Sequence, residues 1–207
     1  MTKGKAFKVV DLKNYGIIVQ KERLHILEKG IGRMEQVPRV EKTKDGLLVI
    51  RLHEVLVDRS LSFEEAVRLG APGTGENSFV FLCEGQYSRM NQSEIREASF
   101  SDISLLSFRR RWKNSEGIEH LESIGHKGAS PQEVLAIGGN FPRLNQSMSN
   151  YAPPSMYVTS VRGCFIGIRR CFFCLAFGAE QPIAGLTSSY AGWHRADEWL
   201  AVIGNVE

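Results

Sequence analysis

Short runs of apolar residues, separated by polar turns that contain glycine, recur along the chain and predict more strands than helices. The clearest case is a pair of runs, 37–43 and 47–57, on either side of Asp45-Gly46. This dipeptide readily takes the positive φ angles that a tight turn requires, so we expect an antiparallel hairpin there. Further strands are predicted at 5–12, 79–83, 103–108, 134–137, 157–161, 164–168 and 171–177.

Helical spacing of apolar residues predicts a few short helices. The best defined begins after Ser62, because Ser62 and Glu65 match the S-x-x-E pattern of a capping box, and Gly70 ends it. Two more are predicted at 20–29 and 115–125.

The last apolar stretch has helical spacing as well. A single helical face would carry Trp193, Ala196, Leu200 and Ile203, so we expect the chain to close in an amphipathic helix. Because strands outnumber helices and include an antiparallel hairpin, the predicted fold class is α+β, with a mixed or antiparallel sheet and short helices.

One nine-residue segment occurs twice. Residues 85–93 read GQYSRMNQS and residues 139–147 read GNFPRLNQS, with five positions identical. A helical pattern and an apolar run precede each copy, which predicts a duplicated helix–strand–turn unit at 62–93 and 115–147. We expect a single domain over 1–207, in which 1–60 supplies strands and the hairpin and 155–207 supplies strands and the final helix.

Charge and hydropathy point to no particular partner. The 26 basic and 23 acidic residues leave a net charge of +3, which is too balanced to indicate a polyanion partner by itself. No apolar leader follows Met1, and Arg169-Arg170 interrupts the longest apolar run, 164–178. We therefore expect a cytoplasmic protein without a membrane segment.

The cysteines and a glycine-rich loop offer little chemistry. A lone Cys171-x-x-Cys174 lacks the second knuckle that a four-ligand zinc site needs, so the thiols are interpreted as apolar core residues. The loop 70–78 resembles a phosphate-binding loop, but Glu76 stands where such a loop needs lysine. No metal and no cofactor are predicted.

Two segments are candidate binding sites. The first is the densest basic cluster, Arg109-Arg110-Arg111-Trp112-Lys113. It would bind phosphates with Trp112 stacking on a base, or anchor a protein interface, or form a solvated strand end.

The second candidate is the repeated Arg-x-Asn-Gln-Ser motif. An extended backbone would place its Arg, Asn and Ser on one side, where they can bind a carboxylate, a phosphate or a sugar. The favoured alternative is structural, with the asparagine capping a turn and the arginine bracing carbonyl groups. The residues concerned are Arg89, Asn91, Ser93, Arg143, Asn145 and Ser147.

No pattern in the sequence names a reaction, so the predicted function is a non-catalytic binding or structural module. It would act through a protein interface, with a protein partner or by self-association, and a bacterial or phage assembly is one such setting. A nucleic-acid-binding protein that uses the 109–113 cluster is the first alternative. The second is an enzyme with its site between the two repeats, built on His120, His126 or the motif arginines.

Overall fold

The computed structural model describes residues 38–74, 97–147, 156–166, 169–178, 181–189 and 192–207, all within one unit, Pro38–Glu207. The strands in these ranges are β1 (Val40–Lys42), β2 (Leu48–Asp58), β3 (Ala98–Ser107), β4 (Trp112–Lys113), β5 (Lys127–Gly128), β6 (Met156–Ile166), β7 (Arg169–Phe177), β8 (Pro182–Ser189), β9 (Trp193–His194) and β10 (Glu198–Ile203). The helices are α1 (Phe63–Gly70), α2 (Asn114–Ser123), α3 (Pro131–Asn140) and α4 (Leu144–Ser147). The strands predicted at 5–12 and 79–83 and the helix predicted at 20–29 lie outside the described residues.

A mixed sheet of eight strands is the centre of the fold, and it confirms the predicted α+β class. Its order is β1-β2-β3-β10-β6-β7-β8, and β5 pairs with β10 beside this path. The neighbours are antiparallel except β10 and β6, which run parallel. A separate two-stranded ribbon is formed by β4 and β9.

Two predicted features of the N-terminal half, the hairpin and the capped start of α1, are confirmed. The hairpin joins β1 to β2 with Val40 opposite Ile50, and Gly46 has a φ of 88° in its turn. At α1, the Ser62 hydroxyl accepts from the Glu65 amide at 3.3 Å, and the Glu65 carboxylate accepts from the Ser62 amide at 3.0 Å. The Ser62 amide, and the Ser62 hydroxyl at 2.8 Å, both donate to the Glu65 carboxylate and hold its pKa below the ordinary value.

The sheet has a core on each face. On one face, apolar residues of β2, β3, β6, β7 and β10 pack against α1 and α3, with Val67 and Leu135 among the buried helix residues. On the other face, Leu106 and Leu200 pack against Trp112 and against Leu121 of α2. None of the helices in the described ranges is long and apolar enough to cross a membrane.

Two sequence predictions in the second half are wrong. Residues 134–137 lie in α3 rather than in a strand, because Ser130 and Glu133 form a capping box with Pro131 at the first turn. The predicted C-terminal helix is replaced by β9 and β10. Strand β10 lies in the sheet between β3 and β6, so its backbone groups pair with neighbouring strands.

The repeated motif takes a different form from the one expected. In its second copy, Arg143 lies in a turn and residues 144–147 form the single helical turn α4; Arg143 is exposed while Asn145 is buried, so the two do not share a face. The first copy, with Arg89, Asn91 and Ser93, lies outside the described residues. The duplication of the whole unit therefore stays a prediction.

Candidate functional site

The ribbon formed by β4 and β9 has two chemically different faces. Trp112 pairs with His194, and Lys113 pairs with Trp193. Successive side chains of a strand point to opposite sides, so the first pair faces the core and the second faces solvent. Trp112 and His194 are buried, whereas Lys113 is exposed and Trp193 is 39% exposed.

The inner face of the ribbon is tied to the sheet by a buried polar contact. His194 Nδ1 lies 2.6 Å from Glu198 Oε2, with side-chain exposures of 0% and 4%. With Glu198 ionised, its carboxylate only accepts hydrogen bonds, so His194 Nδ1 is then the donor. The His194 ring stacks on Trp112, with centroids 4.0 Å apart, and contacts Phe172 of β7 at 4.7 Å.

Several polar atoms near this contact are buried without a hydrogen-bond partner among the described residues. They are Trp112 Nε1, His194 Nε2 and both amide atoms of Asn114, which follows the ribbon directly. Each such atom costs about 1–3 kcal/mol. Buried polar atoms of this kind are few in native proteins, so their concentration beside the ribbon is unusual.

The thiol of Cys174, in β7, lies close enough to Glu198 to interact with it electrostatically. It is a free, buried thiol, and burial raises its pKa, with Glu198 and Asp197 raising it further through their negative charges. A thiol whose pKa is raised is a poor nucleophile, so Cys174 acts as a small apolar core residue. Within the described ranges, no group of three His, Cys, Asp or Glu side chains is placed to hold a metal ion.

We expect the free energy of unfolding to fall as the pH rises above about 9, the ordinary thiol pKa. The folded state keeps the proton on Cys174 while the unfolded chain releases it, so this contribution is complete below pH 9 and is lost above it. The slope from one group is at most about 1.4 kcal/mol per pH unit.

Urea denaturation of the wild-type protein and of Cys174→Ala, between about pH 8 and about pH 10.5, measures this slope. Other groups titrate equally in both proteins, so the difference between the two slopes isolates Cys174. Parallel slopes would show that the thiol ionises as readily in the folded state as in the unfolded chain.

The outer face of the ribbon combines an aromatic ring with cations. Over the Trp193 ring, Lys113 Nζ lies 5.1 Å and Arg111 Cζ 5.9 Å from the centroid. Next to the ribbon, Arg195 Cζ lies 5.3 Å from the centroid of the Tyr157 ring. Such contacts hold long side chains in place at little cost because the cation stays in water. We call the exposed residues Arg109, Arg110, Arg111, Lys113, Trp193 and Arg195 the outer surface.

Only part of the positive charge on the outer surface is neutralised locally. Arg110 pairs with Glu116, whose pKa this contact lowers, and Arg195 pairs with Asp197 at 2.9 Å. Among the described residues, Arg109, Arg111 and Lys113 have no acidic partner within salt-bridge distance. The outer surface therefore presents three cations to an incoming molecule.

No protein-family model, curated protein or solved structure matches the chain.

The structure divides the predicted basic cluster between the two faces. Arg109, Arg110 and Arg111 are exposed, as a binding role requires. Trp112 is fully buried, so a nucleic-acid base cannot stack on it in this conformation. Trp193, which pairs with Lys113 across the ribbon, is the exposed ring instead.

Three of the remaining candidates, Asn145, His120 and His126, lie in contacts that support the fold. Asn145 Nδ2 donates to the Gly178 carbonyl at 3.0 Å, in line with a structural role for the motif. His120 Nε2 lies 3.7 Å from Asp45 Oδ2, and His126 Nδ1 lies 3.1 Å from the Ile203 carbonyl oxygen. The two histidines thus contact different parts of the fold, the hairpin turn and the end of β10.

Sequence reasoning missed four residues of the site: Trp193, His194, Arg195 and Glu198. The apolar spacing assigns them to a helix, in which His194 and Glu198 would also be neighbours. The sequence does contain one signal for a strand here, the alternation Trp193-His194-Arg195. In a strand, Trp193 and Arg195 would face solvent and His194 would face the core.

Proposed function

We propose that this chain is a non-catalytic binding module whose outer surface binds an acidic segment of a protein partner. The observation that carries the proposal is Trp193, an exposed ring held beneath Arg111 and Lys113. Tryptophan and arginine are the residues that most often dominate the energy of protein interfaces. A large exposed ring is otherwise unfavourable in water, and burial against a partner removes this cost.

Charge argues for an acidic partner. Arg109, Arg111 and Lys113 have no acidic neighbour among the described residues, so carboxylates of a partner would complete the ion pairs. Opposite charges around an apolar centre increase the association rate and select the orientation of binding.

The same geometry favours a protein over a nucleic acid. The three cations without an acidic partner among the described residues can replace about three condensed counterions, which gives weak binding to nucleic acid at physiological salt. Proteins that bind single strands offer several rings for successive bases. Among the described residues, Trp193 is the one exposed ring of the outer surface, and cations already lie over it.

A designed peptide tests the proposal. The probe is a fluorescein-labelled peptide in which glutamates alternate with leucines, and its affinity is measured by fluorescence anisotropy. We expect the triple variant Arg111→Ala, Lys113→Ala, Trp193→Ala to bind at least about tenfold more weakly than the wild-type protein, since interface hot spots contribute more than about 1.4 kcal/mol each.

The matched control removes the same groups elsewhere. The variant Lys42→Ala, Lys44→Ala, Phe100→Ala also loses two exposed cations and one exposed ring. It should keep wild-type affinity, and equal losses in the two triple variants would overturn the proposal. Tight, steeply salt-dependent binding of an oligothymidine that the first triple variant loses would establish the nucleic-acid alternative instead.

A further inference from the structure

We infer that His194 and Glu198 are positioning residues for the outer surface, although neither side chain is exposed to a partner. This inference rests on the proposed function. It starts from the shape of the 194–198 segment. The hydrogen bond between His194 Nδ1 and Glu198 Oε2 closes a loop of five residues, and Arg195 lies within that loop.

The ribbon depends on such contacts because it is too short to hold itself. Each of its strands has two residues, and isolated pairs of strands are marginal even at greater length. Its position is therefore set by what its inner face touches. Those contacts include the packing of Trp112 against Leu106 and Leu200, its stack on Phe108 at 5.0 Å, the contact of His194 with Phe172, and the His194–Glu198 pair.

Among these contacts, the His194–Glu198 pair is the directional one. Stacked rings slide at small energetic cost, whereas a buried hydrogen bond to a carboxylate fixes both distance and angle. Glu198 belongs to β10, which pairs with β3 and β6, so the acceptor itself is held by the sheet. The pair thus transmits the rigidity of the sheet to the ribbon.

Two residues of the outer surface are direct sequence neighbours of His194, so fixing His194 also restricts their positions. Trp193 precedes His194, and Arg195, whose guanidinium lies over Tyr157, follows it. If the His194–Glu198 hydrogen bond is broken, Trp193 and Arg195 are no longer held at fixed positions relative to each other. The arrangement that can bind the partner is then populated for a smaller fraction of the time. The apparent affinity falls by that same fraction.

Three variants separate positioning from general stability. Glu198→Gln keeps an acceptor oxygen, whereas Glu198→Leu leaves His194 Nδ1 without one. The double variant His194→Phe, Glu198→Leu replaces both partners with apolar groups, which is often nearly neutral for stability because no buried polar group is left unpaired. Val134→Ala in α3, on the opposite face of the sheet, is the control for a general loss of stability.

Two measurements are made on each variant: affinity for the acidic peptide, and acrylamide quenching of tryptophan fluorescence. In the wild-type protein, Trp193 is exposed while Trp112 and Trp199 are buried. We expect Glu198→Leu and the double variant to bind about tenfold more weakly and to show a larger quenchable fraction, as Trp112 becomes accessible. Glu198→Gln should stay within about twofold of the wild-type protein.

The outcomes for the two proposals are distinguishable. If the wild-type protein does not bind the peptide, the proposed function fails, and the quenching comparison still decides whether the pair holds the ribbon. If the double variant is folded and matches the wild-type protein in both measurements, the positioning role is wrong. An equal loss of affinity in Val134→Ala would also overturn it, because stability alone would then explain the effect.

Discussion

Gly138→Ala should lower the free energy of unfolding by roughly 3 kcal/mol, although the intrinsic helix propensity of alanine is more favourable than that of glycine by about 1 kcal/mol. The reason is the close approach of α1 and α3. A Cβ atom at Gly138 would lie 1.8 Å from the Gly70 carbonyl oxygen, and one at Gly70 would lie 2.2 Å from the Leu135 carbonyl oxygen. Both obstacles are backbone atoms, so a helix must move before either methyl group fits.

Gly185→Ala in β8 is the matched control, because a Cβ atom there would have no neighbour within 4 Å and the φ of Gly185 is not positive. We expect it to change stability by less than about 0.5 kcal/mol. Urea denaturation of both variants measures the difference. A Gly138→Ala protein as stable as Gly185→Ala would mean that the two helices are further apart than described.

The contact between α1 and α3 shows which features of the fold can be predicted from neighbouring residues in the sequence and which cannot. The sequence predicts Gly70 as the residue that ends the first helix, and α1 does end there. Its second role, the close approach to α3, depends on a residue far along the chain. Capping and turn signals are encoded within a few residues, which is why the hairpin at Asp45-Gly46 and the start of α1 are predictable.

The strand wrongly predicted at 134–137 could have been identified as a helix from the residues just before it. Ser130-Pro131-Gln132-Glu133 has the pattern of a capping box with proline in the first turn, the same type of signal that identifies α1. The four apolar residues that follow suit a buried strand or a buried helix equally well. The likeness to the run before the first copy of the repeat favours the strand, and the capping signal is the better guide.

The helix wrongly predicted at the C-terminal end could not have been corrected from the residues of β10 themselves. Residues 198–202 are all buried in β10, because both faces of the sheet are covered there. A strand buried on both faces loses the alternation that identifies strands, and its apolar residues then match helical spacing by coincidence. A helix would also bring His194 close to Glu198, but the position of this pair between the ribbon and the sheet depends on β10 and could not be predicted.

Trp112→Ala should cost about 3–5 kcal/mol of unfolding free energy, which with Gly138→Ala makes it one of the two largest effects expected. Trp112 is completely buried and stacks on both Phe108 and His194. Gly117 of α2 makes room for this ring, since a Cβ atom there would lie 2.6 Å from Trp112 Cζ3. Truncation leaves a cavity and removes the partner on which the His194 ring rests.

Trp112→Phe is the informative comparison, because it keeps a ring and removes the indole N–H. That N–H has no acceptor among the described residues, so its removal regains part of the desolvation cost, about 1–3 kcal/mol. The smaller ring loses some packing in exchange, and the net change should stay below about 1.5 kcal/mol. Thermal and urea denaturation of the two variants measure both effects. A Trp112→Phe protein as unstable as Trp112→Ala would show that the indole N–H has a partner, and the ribbon would then be held by a polar contact beyond the His194–Glu198 pair.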